Sequence, residues 1–246
     1  MQIIIENLSK AYGKKEALHN ISFTIPSGMY GLLGRNGAGK TSLMRILATL
    51  SVPTNGKITM NGVSIKETTK IREMVGYLPQ EFSIYRNMTV YGAMDYFGLL
   101  SNIPDKIRKE KIVTLLEMVN LQENIRTKVK ALSGGMKRRL GIAQALLHNP
   151  QILIVDEPTA GLDPEERLHF RNLLREFADN RIVLLSTHIV SDIESTCKGV
   201  AVLNEGELIF NGRIEDLIQQ AEGKVEFPTL EDGYMHLLQQ SGGNRL

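Results

Sequence analysis

The chain has 246 residues, 42% of them hydrophobic, one cysteine and a net charge of +2. That composition suits one α/β domain, or one with an inserted subdomain. It excludes a disulfide framework, a cysteine metal cluster and the basic field that would mark nucleic acid as the main partner. No run approaches the ~20 apolar residues of a membrane span and the opening MQIIIENLSK lacks the apolar stretch of a signal peptide. The expectation is a chain made in a reducing cytosol that reaches any membrane through another subunit.

In chain order, residues 2–8, 18–25 and 29–33 read as strands, divided by Gly13-Lys14-Lys15 and Pro26-Ser27-Gly28. Directly after them, Gly34-Arg35-Asn36-Gly37-Ala38-Gly39-Lys40-Thr41 fits G-x-x-x-x-G-K-[ST], with an apolar run before it and an amphipathic segment, 42–50, after it. Glycines let the main chain approach a phosphate closely, and successive amides form an anion nest to which the helix dipole adds. Lys40 supplies a mobile charge for the outer phosphates, and the Thr41 hydroxyl is placed to ligate Mg²⁺.

Residues 57–60 and 63–65 flank Asn61-Gly62, a strong hairpin signal, and 71–79 reads as one more strand ending at Gln80. From 89 to 147 the period becomes helical. Ile112, Leu115, Leu116 and Val119 make one face, and Met136, Leu140, Ala143 and Leu147 another, as expected for a helical insertion. Residues 151–155 form a continuous apolar strand that delivers Asp156 and Glu157 to its carboxyl end. Asp163-Pro164-Glu165-Glu166 starts a helix whose apolar face is Phe170, Leu173, Leu174 and Phe177. Residues 181–186 are a further buried strand, and 200–203 and 208–210 flank a turn at Glu205-Gly206. The tail from 213 is expected to be a helix followed by a weakly patterned, frayed end at Ser241-Gly242-Gly243-Asn244.

Two features beyond the phosphate loop carry chemistry. In a nucleotide hydrolase, Asp156 would hold Mg²⁺ and Glu157 would polarise water as general base; alternatively both acids merely cap the following turn. Ser133-Gly134-Gly135, before Met136 and Lys137-Arg138-Arg139, is either a second N-terminal anion site or an ordinary capped helix.

Residues 34–41, Gln80, the LSGGM run at 132–136, ILIVDEP at 152–158, Gly161-Leu162-Asp163 and His188 after Leu185-Ser186-Thr187 follow the order found in ATP-binding cassette (ABC) ATPases. Over residues 2–212 the chain resembles the nucleotide-binding subunit of an ABC transporter. The resemblance implies a P-loop NTPase (RecA-like) α/β core with an N-terminal antiparallel β subdomain and a helical subdomain inserted at about 84–148. Together these make a domain of residues 1–212, with 213–246 as a short extension. It implies ATP and Mg²⁺ as ligands and hydrolysis as the activity. Tyr12 would stack on adenine. Residues Gly34, Arg35, Asn36, Gly37, Ala38, Gly39, Lys40, Thr41 and Ser42 would cradle the phosphates, and Thr41, Gln80 and Asp156 would meet the metal. Gln80 and His188 would help hold water in line with Glu157. Ser133, Gly134, Gly135 and Asp163 would serve the ATP of a second, head-to-tail subunit.

Met136 stands where Gln is usual, and Arg35 where Pro or Ser is common; neither alters the expectation of ATP binding. Looser likenesses, such as 76–80, 88–90 and 229–232, resemble bacterial multidrug, antibiotic and sodium-efflux exporters. They place the chain on the cytoplasmic face of a membrane, bound to a separate permease and to a second copy or paralogue, with no nucleic acid. Phe82, Ile84, Tyr85 and Met88 either receive a helix of the permease or pack inside the helical subdomain. The rival classes are a soluble ABC ATPase acting on DNA or ribosomes, and a regulatory module without turnover. Cys197 reads as a small buried hydrophobe and the histidines other than His188 as structural.

Overall fold

The structure is a computed structural model that describes residues 1–159, 162–223 and 225–243. Two sheets organise the chain. The first is antiparallel, in the order β2-β1-β4-β5, from β1 (Gln2–Tyr12), β2 (Lys15–Pro26), β4 (Asn55–Met60) and β5 (Val63–Ser64). The second runs β10-β9-β3-β8-β7-β6, with β3 (Gly28–Leu33), β6 (Val75–Leu78), β7 (Ile152–Asp156), β8 (Ile182–Thr187), β9 (Gly199–Asn204) and β10 (Glu207–Arg213). Its pairs are parallel except β9 with β10.

Residue alternation along the parallel strands builds two cores at once. Leu153, Val155, Val183, Leu185, Val200 and Val202 face one cluster, and Ile152, Ile154, Ile182, Leu184, Ala201 and Leu203 face the other. The second cluster is closed by α1 (Lys40–Leu47) and by Ile3, Ile5, Ile21 and Ile25 of the antiparallel sheet. Helices close the first cluster. Burial on both faces is why these strands read as unbroken apolar runs.

Between the neighbouring strands β6 and β7 lie α3 (Val90–Leu100), α4 (Asp105–Met118), two short 3₁₀ turns and α5 (Gly134–Leu146), so the helices form an insertion in the sheet. Ile112, Leu115, Leu116 and Val119 are buried, as their spacing predicts. Asn61 and Gly62 take φ of 50° and 81° in the hairpin turn. Asp163 caps α6 (Pro164–Phe177) by accepting from the Glu166 amide at 2.8 Å.

Two expectations need correction. Residues 71–79 are not one strand: α2 (Thr68–Met74) runs straight into β6. Ile71, Met74 and Val75 sit at i, i+3 and i+4, a helical spacing, and Arg72 and Glu73 between them are exposed. As far as residue 243, the tail is helix rather than a weakly patterned, frayed segment. After α7 (Val190–Glu194), α8 (Ile214–Ile218) and a 3₁₀ turn, α9 (Leu230–Gly243) buries Leu230, Tyr234 and Leu237 against the helical core. Thr229 and Asp232 cap it reciprocally, Oδ2 of Asp232 accepting from the Thr229 amide at 2.9 Å and Oγ1 of Thr229 from the Asp232 amide at 3.3 Å. Asn244 and Gly161 lie outside the described residues. Cys197 joins the helical cluster, and burial pushes its thiol pKa up to about 12.

Candidate active site

The glycine loop joins β3 to α1, and two of its glycines are required by space as well as by backbone. A Cβ on Gly34 would lie 2.5 Å from the Leu203 carbonyl oxygen. Gly39 has φ 104°, and a Cβ there would lie 2.6 Å from the Ala17 carbonyl oxygen. Lys40 folds back over the loop and is only 5% exposed. Its Nζ donates to the Gly34 carbonyl at 2.7 Å and the Arg35 carbonyl at 3.3 Å, and pairs with Oε1 of Glu157 at 3.2 Å.

Above the loop is a cavity of about 390 Å³, bounded by Arg35, Asn36, Gly37, Gly39, Lys40, Thr41 and Ser42. Tyr12, Lys15 and Ala17 close it from the β1–β2 hairpin, and Gln80 and Glu157 from the carboxyl ends of β6 and β7. The Tyr12 ring is half exposed, with the Lys10 ammonium 4.7 Å from its centroid. Lys15 escaped the motif reading. The hairpin places it directly opposite Tyr12, and the Gly13-Lys14-Lys15 turn was its only signal.

The two acids differ in environment. Asp156 is fully buried; its Oδ1 accepts a hydrogen bond from the Ser186 hydroxyl of β8, while its Oδ2 has no partner among the described residues. Burial raises its pKa, against which the Ser186 and Thr41 hydroxyls favour the ionised form. A buried carboxylate oxygen without a donor, beside a threonine hydroxyl, suits a hard divalent cation, so the residues fit magnesium. Among the described residues no cluster of three or more His, Cys, Asp or Glu could hold a metal alone.

Glu157 is 4% exposed and adopts φ 48°, in the left-handed region that breaks strand alternation at the end of β7. Its amide donates to the Ser186 carbonyl at 3.1 Å, and its own carbonyl accepts from Nη1 of Arg138 at 2.8 Å. Its carboxylate is shared between Lys40 and His188, whose Nδ1 lies 2.8 Å from Oε2. A carboxylate only accepts, so Nδ1 carries the proton.

The structure brings Tyr12, Arg35, Asn36, Gly37, Gly39, Lys40, Thr41, Ser42, Gln80 and Glu157 around one cavity, which Gly34, Ala38, Asp156 and His188 do not line; His188 meets it only through the Glu157 carboxylate. Ser133, Gly134, Gly135 and Asp163 are not brought to that cavity. Ser133 caps α5, its Oγ accepting from the Met136 amide at 3.1 Å, and a Cβ on Gly134 would meet nothing within 4 Å. A Cβ on Gly135 would collide with the Glu166 carboxylate. His188 also borders a second cavity of about 470 Å³, together with Arg35, Asn36 and the α9 residues Tyr234 and Met235. Ile84 is buried, Phe82 and Met88 pack against the helical core, and Tyr85 is exposed with its ring 5.6 Å from that of Tyr96. His148 is held by the Val75 carbonyl at 3.2 Å.

The sequence model of the family described as "ABC transporter" matches residues 18–160. The chain is 40% identical over 222 residues to the uncharacterized ABC transporter ATP-binding protein YxlF of Bacillus subtilis (strain 168), covering 90% of this chain and 74% of that one. It is 36% identical over 221 residues to the linearmycin resistance ATP-binding protein LnrL of the same organism, covering 89% and 71%. To the Nod factor export ATP-binding protein I of Rhizobium meliloti (strain 1021) it is 37% identical over 230 residues, covering 90% and 67%. An ATP-binding subunit of an ABC transporter shares the fold with a TM-score of 0.86 at 24% identity, covering 97% of this chain and 100% of the other. The dimeric ATP-binding cassette MJ0796, in a post-hydrolysis state bound to ADP and Pi, superposes with a TM-score of 0.79 at 25% identity, covering 86% and 98%.

Proposed function

The chain belongs to the ABC transporter family and is an ATPase of it; from that premise we propose that it hydrolyses ATP within a head-to-tail dimer and thereby powers an export permease. The observation that carries the reading is the Glu157 carboxylate, held between Lys40 and His188 over the phosphate loop. Tyr12 would stack on the adenine. Loop amides and Lys40 bind the phosphates, the ammonium exchanging its carbonyl partners for phosphate oxygens. Thr41 and Asp156, with Gln80, would hold a magnesium ion, which when bound neutralises charge on the β- and γ-phosphates. Glu157 takes the proton of the attacking water, and His188 keeps that carboxylate in place while its outer nitrogen faces the γ-phosphate.

Ser133, Gly134 and Gly135 begin α5 outside the lining of this chain's own cavity, which supports a role at the ATP of a second copy, with Asp163 in the crossing loop. ATP then joins the two copies, and loss of its γ-phosphate releases them. The dimeric MJ0796 cassette supports the assembly, and the relatives named for linearmycin resistance and Nod factor export support outward transport. No helix among the described residues is long and apolar enough to cross a membrane. We therefore place the chain on the cytoplasmic face, against a separate permease whose helix would meet the exposed Tyr85.

Mixing two inactive variants tests the dimer. Ser133→Arg spoils the second anion site and Lys40→Ala spoils the phosphate loop, so a mixed dimer keeps one intact composite site. Turnover should reappear on mixing and be absent from each variant alone; a silent mixture refutes the trans arrangement. Affinity purification from detergent-solubilised native membranes should recover a membrane-spanning partner. Ribosomal or DNA-repair proteins instead would refute the transport role.

A further inference from the structure

Lys137, Arg138 and Arg139 follow one another on α5, about 100° apart around the helix axis, and reach three different places. Lys137 borders a small cavity with Phe82 and Ile84. Arg139 turns back to the end of α4, its Nη1 3.3 Å from the carbonyl oxygens of both Val119 and Asn120. Arg138 alone of the three reaches forward to β7, where Nη1 donates to the Glu157 carbonyl at 2.8 Å. Its guanidinium is half-buried, and burial works against its charge while Glu157 and Asp156 favour it.

The Glu157 main chain is therefore fixed from two sides. Ser186 of β8 receives its amide, and Arg138 of α5 supplies the donor to its carbonyl. That clamp acts on a residue whose φ of 48° is unfavourable for any side chain with a Cβ and persists only where the surroundings over-determine it. Rotation at this residue would swing the carboxylate away from Lys40 and His188. The helix that provides the clamp is the one whose first turn carries Ser133 and Gly135.

We propose that Arg138 is a positioning residue: it ties the helix that starts after Ser133 to the backbone of Glu157, so that movement of that helix is transmitted to the base in the same chain. The proposal rests on Glu157 being the general base. It assigns Arg138 no contact with nucleotide or water, only the setting of the Glu157 peptide, and it gives the α5 terminus a mechanical link to hydrolysis in its own chain.

The test is steady-state ATP turnover by the full chain carrying Arg138→Met, Arg138→Lys, Glu157→Gln, or Arg138→Met with Glu157→Gln. A misplacement of about 1 Å at a reacting group is enough for up to a hundredfold loss. Arg138→Met should lower kcat on the order of tenfold with KM for ATP within about twofold. Arg138→Lys, which retains a cationic donor, should recover part of that loss. In the Glu157→Gln background the same Arg138→Met change should alter residual turnover by less than about twofold, because there is no base left to position. A raised KM with unchanged kcat, equal defects in Met and Lys variants, or an additive loss in the double variant would each overturn the assignment. Thermal melts separate loss of fold from loss of function, and if Arg138→Met is insoluble, Arg138→Gln replaces it. Should Glu157→Gln retain parental turnover, the base reading fails and the positioning role with it. If Glu157→Gln is inactive while Arg138→Met is unaffected, only the positioning role fails.

Discussion

Glu157→Gln separates chemistry from structure. The substitution keeps volume and one carbonyl oxygen, so Lys40 retains an acceptor there beside the Gly34 and Arg35 carbonyls at 2.7 and 3.3 Å. The amide nitrogen can face His188 with the imidazole proton moved to its other nitrogen. Replacing the carboxylate by a neutral amide in both contacts costs about 1–2 kcal/mol of stability. For a chain of this size that lowers Tm by about 2–8 °C. Removing a general base costs roughly 10²–10⁴ in rate, or about 2.7–5.4 kcal/mol of barrier at 1.36 kcal/mol per decade. Single-turnover phosphate release at saturating ATP reads the rate, and a thermal melt reads the fold. Size-exclusion chromatography with ATP should show an accumulated dimer, since binding survives while release is blocked. Turnover within threefold of the parent, in protein with an intact melt, refutes the assignment of Glu157 as base.

Three further outcomes follow from the same geometry. Lys40→Ala removes the ammonium from the loop and should weaken ATP binding by roughly ten- to hundredfold, the worth of a charged hydrogen bond; titration calorimetry giving an unchanged Kd would contradict the phosphate-loop reading. Gly56 has φ 97° and a Cβ there would lie 2.5 Å from the Asn7 carbonyl oxygen, so Gly56→Ala should destabilise by at least about 1–3 kcal/mol in a urea melt, and an unchanged midpoint would refute the strain argument. Burial holds the His148 pKa below its ordinary value, although the Val75 carbonyl favours the protonated form. The unfolded chain therefore binds more protons than the native one, and this contribution is complete above about pH 6.5 and declines as pH falls below it. Urea midpoints at pH 7.5 and 5.5 should converge in His148→Gln relative to the parent; parallel changes would show that another group is responsible.

The glycine loop between β3 and α1 was legible because close main-chain approach leaves glycine no substitute, as the distances from a Cβ on Gly34 to the Leu203 carbonyl and from one on Gly39 to the Ala17 carbonyl show. The buried strands were legible because both faces of β7 and β8 meet apolar cores, and the Asp163 cap because its hydrogen bond is local. Signals that depend on tertiary distance were not. Helix α2 looked like strand because it is only seven residues long and passes directly into β6 at Val75, with no turn residue to divide the two. Gly233, Gly242 and Gly243 obscured α9, although Thr229 and Asp232 cap it at the spacing helix starts require. The Lys15 contribution depends on a hairpin register, and the Arg138 contact on how α5 lies against β7. Adjacent cationic residues give no hint of which one turns toward the sheet.

The buried sulfur of Cys197 has a practical consequence. The residue is 9% exposed and its pKa of about 12 leaves almost no thiolate at neutral pH, the form that attacks maleimides and iodoacetamides. Natively folded protein is thus close to cysteine-free toward such reagents without any substitution. A cysteine introduced on an exposed surface will take a dye or spin label alone, and the distance between two labelled copies can be followed through an ATP cycle in an otherwise unaltered chain.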